Sequence, residues 1–114
     1  MPLPEIDVKK ARRWVERQNE QIRGKTDQIR IELDVTPRGV SIVECEAPWA
    51  EELGPEWQRR EVARLRYLTT RRLWTLYWPD RNDKFHRYDD LDPMPTIDRL
   101  LTEVEMDPTC IFWG

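Results

Sequence analysis

Few side chains in this sequence have the type and spacing that chemistry requires. His86 is the single histidine, and Asp89 and Asp90 follow it closely. A carboxylate that orients an imidazole is a known device of general-base catalysis. The chain has no G-x-S-x-G nucleophile motif. A histidine held by a hydrogen bond at the surface is therefore the favoured interpretation, and catalysis by His86 is the weaker one.

The two cysteines indicate neither a metal site nor a disulfide framework. Cys45 and Cys110 are isolated, without C-x-x-C spacing and without histidine partners. Such spacing is typical of zinc sites and of disulfide-rich secreted domains. We therefore expect two reduced structural thiols, no bound metal and no cofactor.

Two acids occupy unusual positions in a predicted strand. If the strands on either side of the turn "TPRG" pair in the register that this turn favours, Ile31 opposes Glu44 and Ile29 opposes Glu46. Both carboxylates would then lie on the apolar face of the sheet. An ionised carboxylate without partners is costly to bury, so its environment must differ from that of an ordinary core position.

Three explanations of the two acids remain open. A bulge near Val43 could turn both acids outward, or an arginine of the neighbouring strand could pair with them. The third explanation is a divalent-cation site with Asp34 or Glu32, which together with His86 would resemble a metal-dependent nuclease. No lysine lies two residues after Glu44 or Glu46, so this enzyme is the least favoured explanation.

The segment "RRLWTLYWPDRNDKFHRYDDL", residues 71–91, combines large rings with cations. Exposed rings beside a cationic groove are typical of proteins that bind single-stranded nucleic acids. Alternation, however, places Trp74, Leu76 and Trp78 on one face of a strand, which favours a role in the core. A nucleic-acid surface would then use the opposite face and these cations: Arg64, Arg66, Arg72, Arg81 and Lys84.

The chain closes on "IFWG", which places two large rings at the very end of the sequence. Terminal segments fray unless they dock onto the fold. Phe112 and Trp113 are therefore either part of the core or a surface for a partner protein or a second copy of the chain, as in a homodimer. The second alternative makes the protein an interaction or self-association module.

The periodicities predict one helix, five strands and a second helix. The helical segment "VKKARRWVERQNEQI" follows Asp7, a candidate N-cap, and "IDRLLTEVEMD" follows Thr96 in the same role. The predicted strands are "IRIELDV", "VSIVECE", "VARLRYL", "LWTLYW" and "KFHRY", and "APWAEELGPEWQRRE" is the long loop. The expected fold is α+β, an antiparallel meander of about five strands with both helices on one face.

Composition limits the class of protein. A chain of 114 residues fits a single domain spanning residues 1–114, and six tryptophans supply core area to a chain in which 36% of residues are charged. No apolar run is long enough to span a bilayer, and no signal sequence precedes the first helix, so we expect a cytoplasmic protein without a membrane partner.

The net charge of −3 hides four blocks of alternating sign. Residues 9–30 carry +5 and residues 59–87 carry +6, whereas residues 44–56 carry −5 and residues 89–107 carry −6. The blocks either separate into patches, which favours a polyanionic partner, or interleave and cancel.

Three ordered motifs resemble the bacterial family known as domain of unknown function 3024. They are "VECEAPW" at 43–49, "VARLRYLTTRRLWTLYWPDRNDKFHRYDDL" at 62–91 and the terminal "IFWG". The chain has Cys-Glu-Ala at 45–47, where many members have two arginines and a proline. The resemblance implies one intact domain and carries no assigned activity. The matching residues are Glu44, Trp49, Ala63, Tyr67, Trp74, Leu76, Tyr77, Trp78, His86, Tyr88 and 112–114.

These observations favour a small non-catalytic binding or regulatory module, associated with nucleic acid through an arginine-rich sheet face. The interaction module that uses the C-terminal tail is the alternative. The nuclease-like enzyme that uses Glu44 and His86 is a less favoured third hypothesis.

Overall fold

The protein folds into two helices and one sheet. The computed structural model describes residues 3–22, 28–48 and 50–113. Helix α1 spans Glu5–Gln21 and helix α2 spans Asp98–Met106. A short 3-10 helix, Glu51–Leu53, lies in the loop after the second strand. The strands are β1 (Ile29–Thr36), β2 (Gly39–Glu46), β3 (Gln58–Leu68), β4 (Leu73–Pro79) and β5 (Phe85–Arg87).

The five strands form one antiparallel sheet in chain order, β1-β2-β3-β4-β5. This meander is the α+β architecture that the sequence predicts. Sequential strands joined by short connections pair with their neighbours because closing a short loop costs little entropy. As a result, the β1–β2 and β3–β4 turns lie at the same end of the sheet, and the β4–β5 turn lies at the other.

The first hairpin closes in the predicted register. Ile31 pairs with Glu44, and Ile29 pairs with Glu46. The outer edge of β1 is partly covered by α1, because the side chain of Asn19 accepts the Ile31 N–H (2.8 Å) and donates to the Ile31 carbonyl (2.9 Å). An amide side chain that pairs in this way takes the place of a neighbouring strand and protects an otherwise open edge.

Strand β3 contains a bulge opposite Val43, the residue near which a bulge was predicted. Ile42 pairs with Ala63, but the next residue of β2, Val43, pairs with Glu61, so Val62 is the extra residue. The predicted bulge near Val43 therefore lies in the partner strand. The strand also begins at Gln58, within the segment predicted as loop, because the bulge lets the ladder continue past it.

Both helices pack on the same face of the sheet, which we call the covered face; the other is the open face. The core between them combines residues of α1, α2 and the sheet. Trp74 and Leu76 are fully buried there, and Trp78 is half-buried against the same cluster, as predicted. Burial of one such large side chain contributes about 1.5–3 kcal/mol.

The helices begin at residues other than the predicted caps. Helix α1 begins at Glu5 after Pro4, so Asp7 lies in its first turn, and α2 begins at Asp98 after Ile97 rather than after Thr96. The buried carboxylate of Asp7 accepts the main-chain N–H of Ile97 (3.3 Å). Asp7 therefore caps the other helix instead of its own, since an acid is favourable near a helix N-terminus.

No helix in the part of the chain that the structure describes is long and apolar enough to cross a membrane.

Candidate functional site

The open face of the sheet is crossed by arginines and carboxylates that pair with one another. The Arg59 guanidinium contacts both carboxylate oxygens of Asp34 (3.0 and 3.1 Å) and reaches Glu32 at 3.5 Å. Arg30 donates to the same Glu32 at 2.7 Å. On this part of the face, the basic and acidic blocks of the sequence interleave, and much of their charge cancels.

Glu61 is the centre of a second cluster on the open face. It accepts hydrogen bonds from the Ser41 hydroxyl (2.6 Å) and from two nitrogens of Arg64 (2.6 and 3.0 Å). Burial alone raises the pKa of Glu61, but the hydrogen bonds from Arg64 and Ser41 outweigh burial and hold the pKa below its ordinary value. Glu61 therefore stays ionised and fixes the plane of the Arg64 guanidinium.

Three arginines of the open face lie over aromatic rings. Arg64 lies 3.9 Å from the centroid of Phe85, and Arg30 lies 4.2 Å from that of Trp57. Arg66 lies farther from Tyr77, at 5.6 Å. In such cation–π pairs the ring quadrupole attracts the guanidinium group and helps to hold it over the ring.

We call the end of the sheet that carries the β1–β2 and β3–β4 turns the hairpin end. Within the part of the chain that the structure describes, its charges are unpaired, in contrast to those on the open face. Arg38 lies in the first turn, Arg71 and Arg72 lie in the second, and Arg66 lies near the end of β3. All four are exposed, and among the described residues none of them takes part in an ion pair. The hairpin end is therefore a concentration of uncompensated positive charge.

Two adjoining clefts, each of about 500 Å³, open beside these arginines. Arg38 and Arg66 line both clefts. The first cleft continues over the Ser41–Glu61–Arg64 cluster, and the second is bordered by Tyr77. Arg38 and Arg66 therefore lie between the paired charges of the Ser41–Glu61–Arg64 cluster and the ring of Tyr77.

The five cations predicted as a binding surface fall into two groups. Arg64 and Arg66 lie on the open face and Arg72 at the hairpin end, whereas Arg81 and Lys84 lie in and after the β4–β5 turn. The seven residues of β4 separate these ends by about 20 Å. Arg66 and Arg72 lie toward the hairpin end, and Arg64 lies between the two groups, because its guanidinium lies over Phe85, the residue after Lys84.

Sequence reasoning missed Arg38 and Arg59. Arg38 could have been found, because alternate turns of a meander lie at one end of the sheet. Arg59 could not, because only the bulge at Val62 places it on the same face as Arg64.

The surroundings of Glu44 agree with the second explanation, which is an ion pair with an arginine of the neighbouring strand. The guanidinium of Arg60, on the neighbouring strand, contacts the Glu44 carboxylate at 3.4 Å. The same guanidinium donates to the Phe112 carbonyl at 3.4 Å, so Arg60 links the half-buried acid to the C-terminal segment. Glu46 lies exposed at the last position of β2.

His86 is paired with an acid, but not with Glu44. Its Nε2 donates to Asp80 at 2.8 Å, and its ring lies 5.0 Å from that of Trp78. Glu44 lies on β2, three strand spacings from β5, which is about 14 Å. Within the described ranges no three His, Cys, Asp or Glu side chains converge as metal ligands. The nuclease hypothesis therefore gains no geometric support.

The C-terminal segment packs against the rest of the fold. Phe112 is fully buried, with its ring 5.4 Å from that of Tyr88. The Asp107 carboxylate accepts the N–H groups of Ile111, Phe112 and Trp113 (3.0–3.1 Å), and the Trp113 indole donates to a carbonyl of α2 at 2.8 Å. The burial of Phe112 favours the first alternative, a tail that is part of the core, over a partner surface that uses this ring.

The acid partner of His86 gives a pH prediction. The hydrogen bond from His86, with those from the Lys84 and Asn82 N–H groups, lowers the pKa of Asp80 to about 2. A carboxyl with a lowered pKa stabilises the fold above its ordinary pKa, and this contribution disappears as the pH falls from about 4 to about 2. Asp80→Asn should therefore melt at a lower temperature than wild type at about pH 5, and the gap should close over that range. Melting curves at several pH values test this; a gap independent of pH would contradict it.

The fold and this face define a class: a small α+β domain with helices on one side of a meander and an arginine-lined sheet on the other. The family model described as "Domain of unknown function (DUF3024)" matches residues 1–114. The chain belongs to this family, which confirms the resemblance seen in the motifs. No curated protein and no solved structure matches the chain. Of the residues that carry the resemblance, Trp49 and Gly114 lie outside the described ranges.

Proposed function

We propose that this protein is a small non-catalytic module that binds nucleic acid through the hairpin end and the adjoining open face of its sheet. The observation that supports the proposal most strongly is the contrast between the paired and the unpaired arginines. Arg59 and Arg64 are neutralised by Asp34 and Glu61. Arg38 and Arg66, in contrast, border the clefts without an acidic partner among the described residues.

The overall charge of −3 does not oppose this proposal. Charges at a protein surface are screened over about 8 Å at physiological ionic strength. The segments that form the hairpin end, 36–39 and 68–73, contain arginines and no acid. A polyanion that approaches this end therefore meets a positive local field, because the acidic segments elsewhere act over too short a range to cancel it.

The spacing of the cations favours a polymer over a small anion. The two turns are two strand spacings apart, about 10 Å, so the arginines of both turns match a series of phosphates along a chain better than one small anion. A nucleic-acid backbone offers phosphates at intervals and can reach both turns. Contacts of this kind release counterions, which makes the affinity fall steeply with salt.

The proposal includes the setting of the protein, a bacterial cytoplasm. Cys45 and Cys110 are free thiols, and thiols persist in a reducing compartment. Nucleic acid is present in that compartment, so the proposed ligand and the proposed location are consistent.

The test compares two pairs of arginines in a salt titration. We expect wild type to bind fluorescently labelled single-stranded DNA at low salt, and the double variant Arg38→Ala/Arg72→Ala to bind about tenfold more weakly or worse. The plot of log affinity against log salt should become shallower by about 1.4, which is about 0.7 for each lost phosphate contact. Fluorescence anisotropy measures both quantities.

The matched control removes the same charge from the opposite side of the molecule. Arg12 and Arg17 lie exposed on α1, on the covered face. Arg12→Ala/Arg17→Ala should leave the affinity and the salt slope within about twofold of wild type, because long-range attraction is screened. Equal losses in the two double variants, or no binding by wild type at low salt, would refute the proposed site.

A further inference from the structure

Tyr77 differs from the other two rings that arginines approach on the open face. The guanidinium groups of Arg64 and Arg30 lie 3.9 and 4.2 Å from the ring centroids of Phe85 and Trp57, which is contact distance and covers one face of each ring. Arg66 lies 5.6 Å from the Tyr77 centroid, which leaves room beside the ring. Of these three rings, Tyr77 is therefore the one that its cation covers least.

The surroundings of Tyr77 combine an apolar plane with free cations. Its half-buried ring lines the hairpin-end cleft of about 500 Å³ together with Arg38, Arg66 and the side chains of Thr69 and Thr75. Neither arginine is held by a carboxylate within the described residues. A ligand that fits this cleft should present a planar ring and a negative group a few ångströms away.

We propose that the cleft is a nucleotide subsite for a single strand: one base stacks on Tyr77, and Arg38 and Arg66 hold the adjacent phosphate. This inference rests on the proposed function and specifies its ligand. A base can lie on an aromatic side chain only when it is not stacked and paired inside a duplex. The subsite therefore selects single strands over double strands, which phosphate contacts alone do not.

The fixed Arg64 supports the same assignment. Its guanidinium is held by two hydrogen bonds to Glu61 and by the Phe85 ring, so it cannot turn toward a phosphate without losing these contacts. Arg66 lines a cleft together with Glu61 but makes no ion pair among the described residues, so it can rotate its donors toward a phosphate. Arg64 thus borders the adjoining cleft as a fixed cation, and Arg66, which lines both clefts, supplies the adjustable one.

Two strands of equal length test the inference without any substitution. One is ordinary single-stranded DNA and the other is abasic, with the same phosphates and no bases. We expect wild type to bind the ordinary strand about fivefold more tightly or better, which is the lower end of what one stacked base contributes. A duplex of the same sequence should bind more weakly than the ordinary strand.

Variants of Tyr77 then separate stacking from charge. Tyr77→Leu should lose the preference for the ordinary strand over the abasic one while the salt slope stays unchanged, because no phosphate contact is removed. Tyr77→Phe keeps the ring and should keep the preference. Melting curves establish that each variant folds; if Tyr77→Leu does not fold, the abasic comparison on wild type still decides.

The outcomes distinguish failure of this inference from failure of the proposed function. Suppose that wild type binds the ordinary and abasic strands equally and that Arg38→Ala/Arg72→Ala binds neither. This result would overturn the stacked base but leave a site for polyanions. Loss of the preference in Tyr77→Phe as well as in Tyr77→Leu would overturn stacking in favour of the hydroxyl. Failure of every strand to bind at low salt would overturn the proposed function and this inference together.

Discussion

Replacing Phe112 with alanine is expected to lower the free energy of unfolding by about 3–5 kcal/mol, as for other large rings removed from a core. Phe112 is fully buried and lies against Tyr88, whose hydroxyl donates to the Glu103 carboxylate at 2.7 Å. Burial and this hydrogen bond raise the pKa of Tyr88 to about 12. The variant would leave a cavity beside the buried Tyr88–Glu103 pair. Urea denaturation measures the loss in unfolding free energy, and we expect the m-value to stay unchanged.

The neighbouring ring supplies the control for Phe112. Trp113→Phe removes one hydrogen bond to the Val104 carbonyl and keeps an aromatic ring, so it should cost only about 1 kcal/mol. Size-exclusion chromatography should give the same oligomeric state for wild type and both variants. If Phe112→Ala changed the oligomeric state and left the unfolding free energy intact, the tail would be a partner surface, contrary to its burial in the fold.

The second large effect is expected at Asp7. Its carboxylate accepts the Trp74 indole N–H at 3.1 Å and the Ile97 N–H at 3.3 Å, and all three groups are buried. Asp7→Ala leaves both donors without an acceptor, and each buried unsatisfied donor costs about 1–3 kcal/mol. We therefore expect a loss of about 3 kcal/mol or more in the free energy of unfolding.

A double-mutant cycle isolates the part of the loss that belongs to the indole. Trp74→Phe removes the donor, so Asp7→Ala should cost less in that background than in wild type. Asp7→Asn keeps an acceptor oxygen without the charge and should fall between wild type and Asp7→Ala. Additive effects of the two substitutions would contradict a direct bond between Asp7 and Trp74.

These two predictions concern the covered face, whereas the binding predictions concern the open face. The separation is useful because substitutions at Arg38, Arg72 or Tyr77 remove little buried area compared with Phe112. A loss of binding in those variants can therefore be attributed to the surface, provided that their melting temperatures stay near that of wild type.

Local patterns in the sequence were sufficient for the meander and for the register of its first hairpin. The apolar and polar residues of "IRIELDV" alternate without exception, and a shift by one residue would expose every apolar side chain at once. The turn "TPRG" then leaves one favourable register, which places Glu44 opposite Ile31 as observed. The core positions of Trp74 and Leu76 follow from the same alternation in β4.

The sequence by itself thus determined the order of the elements, the α+β class and the faces of the regular strands, because these depend on near neighbours in the chain. Only the tertiary structure decided which strand carries the bulge. The bulge places Arg59 and Glu61 on the open face and lets Arg60 form an ion pair with Glu44. The tertiary structure also decided that Asp7 caps α2 and that the tail fills the core. The physical reason is that a bulge, a buried hydrogen bond and a docked terminus are each selected by packing between segments distant in sequence, which no local period encodes.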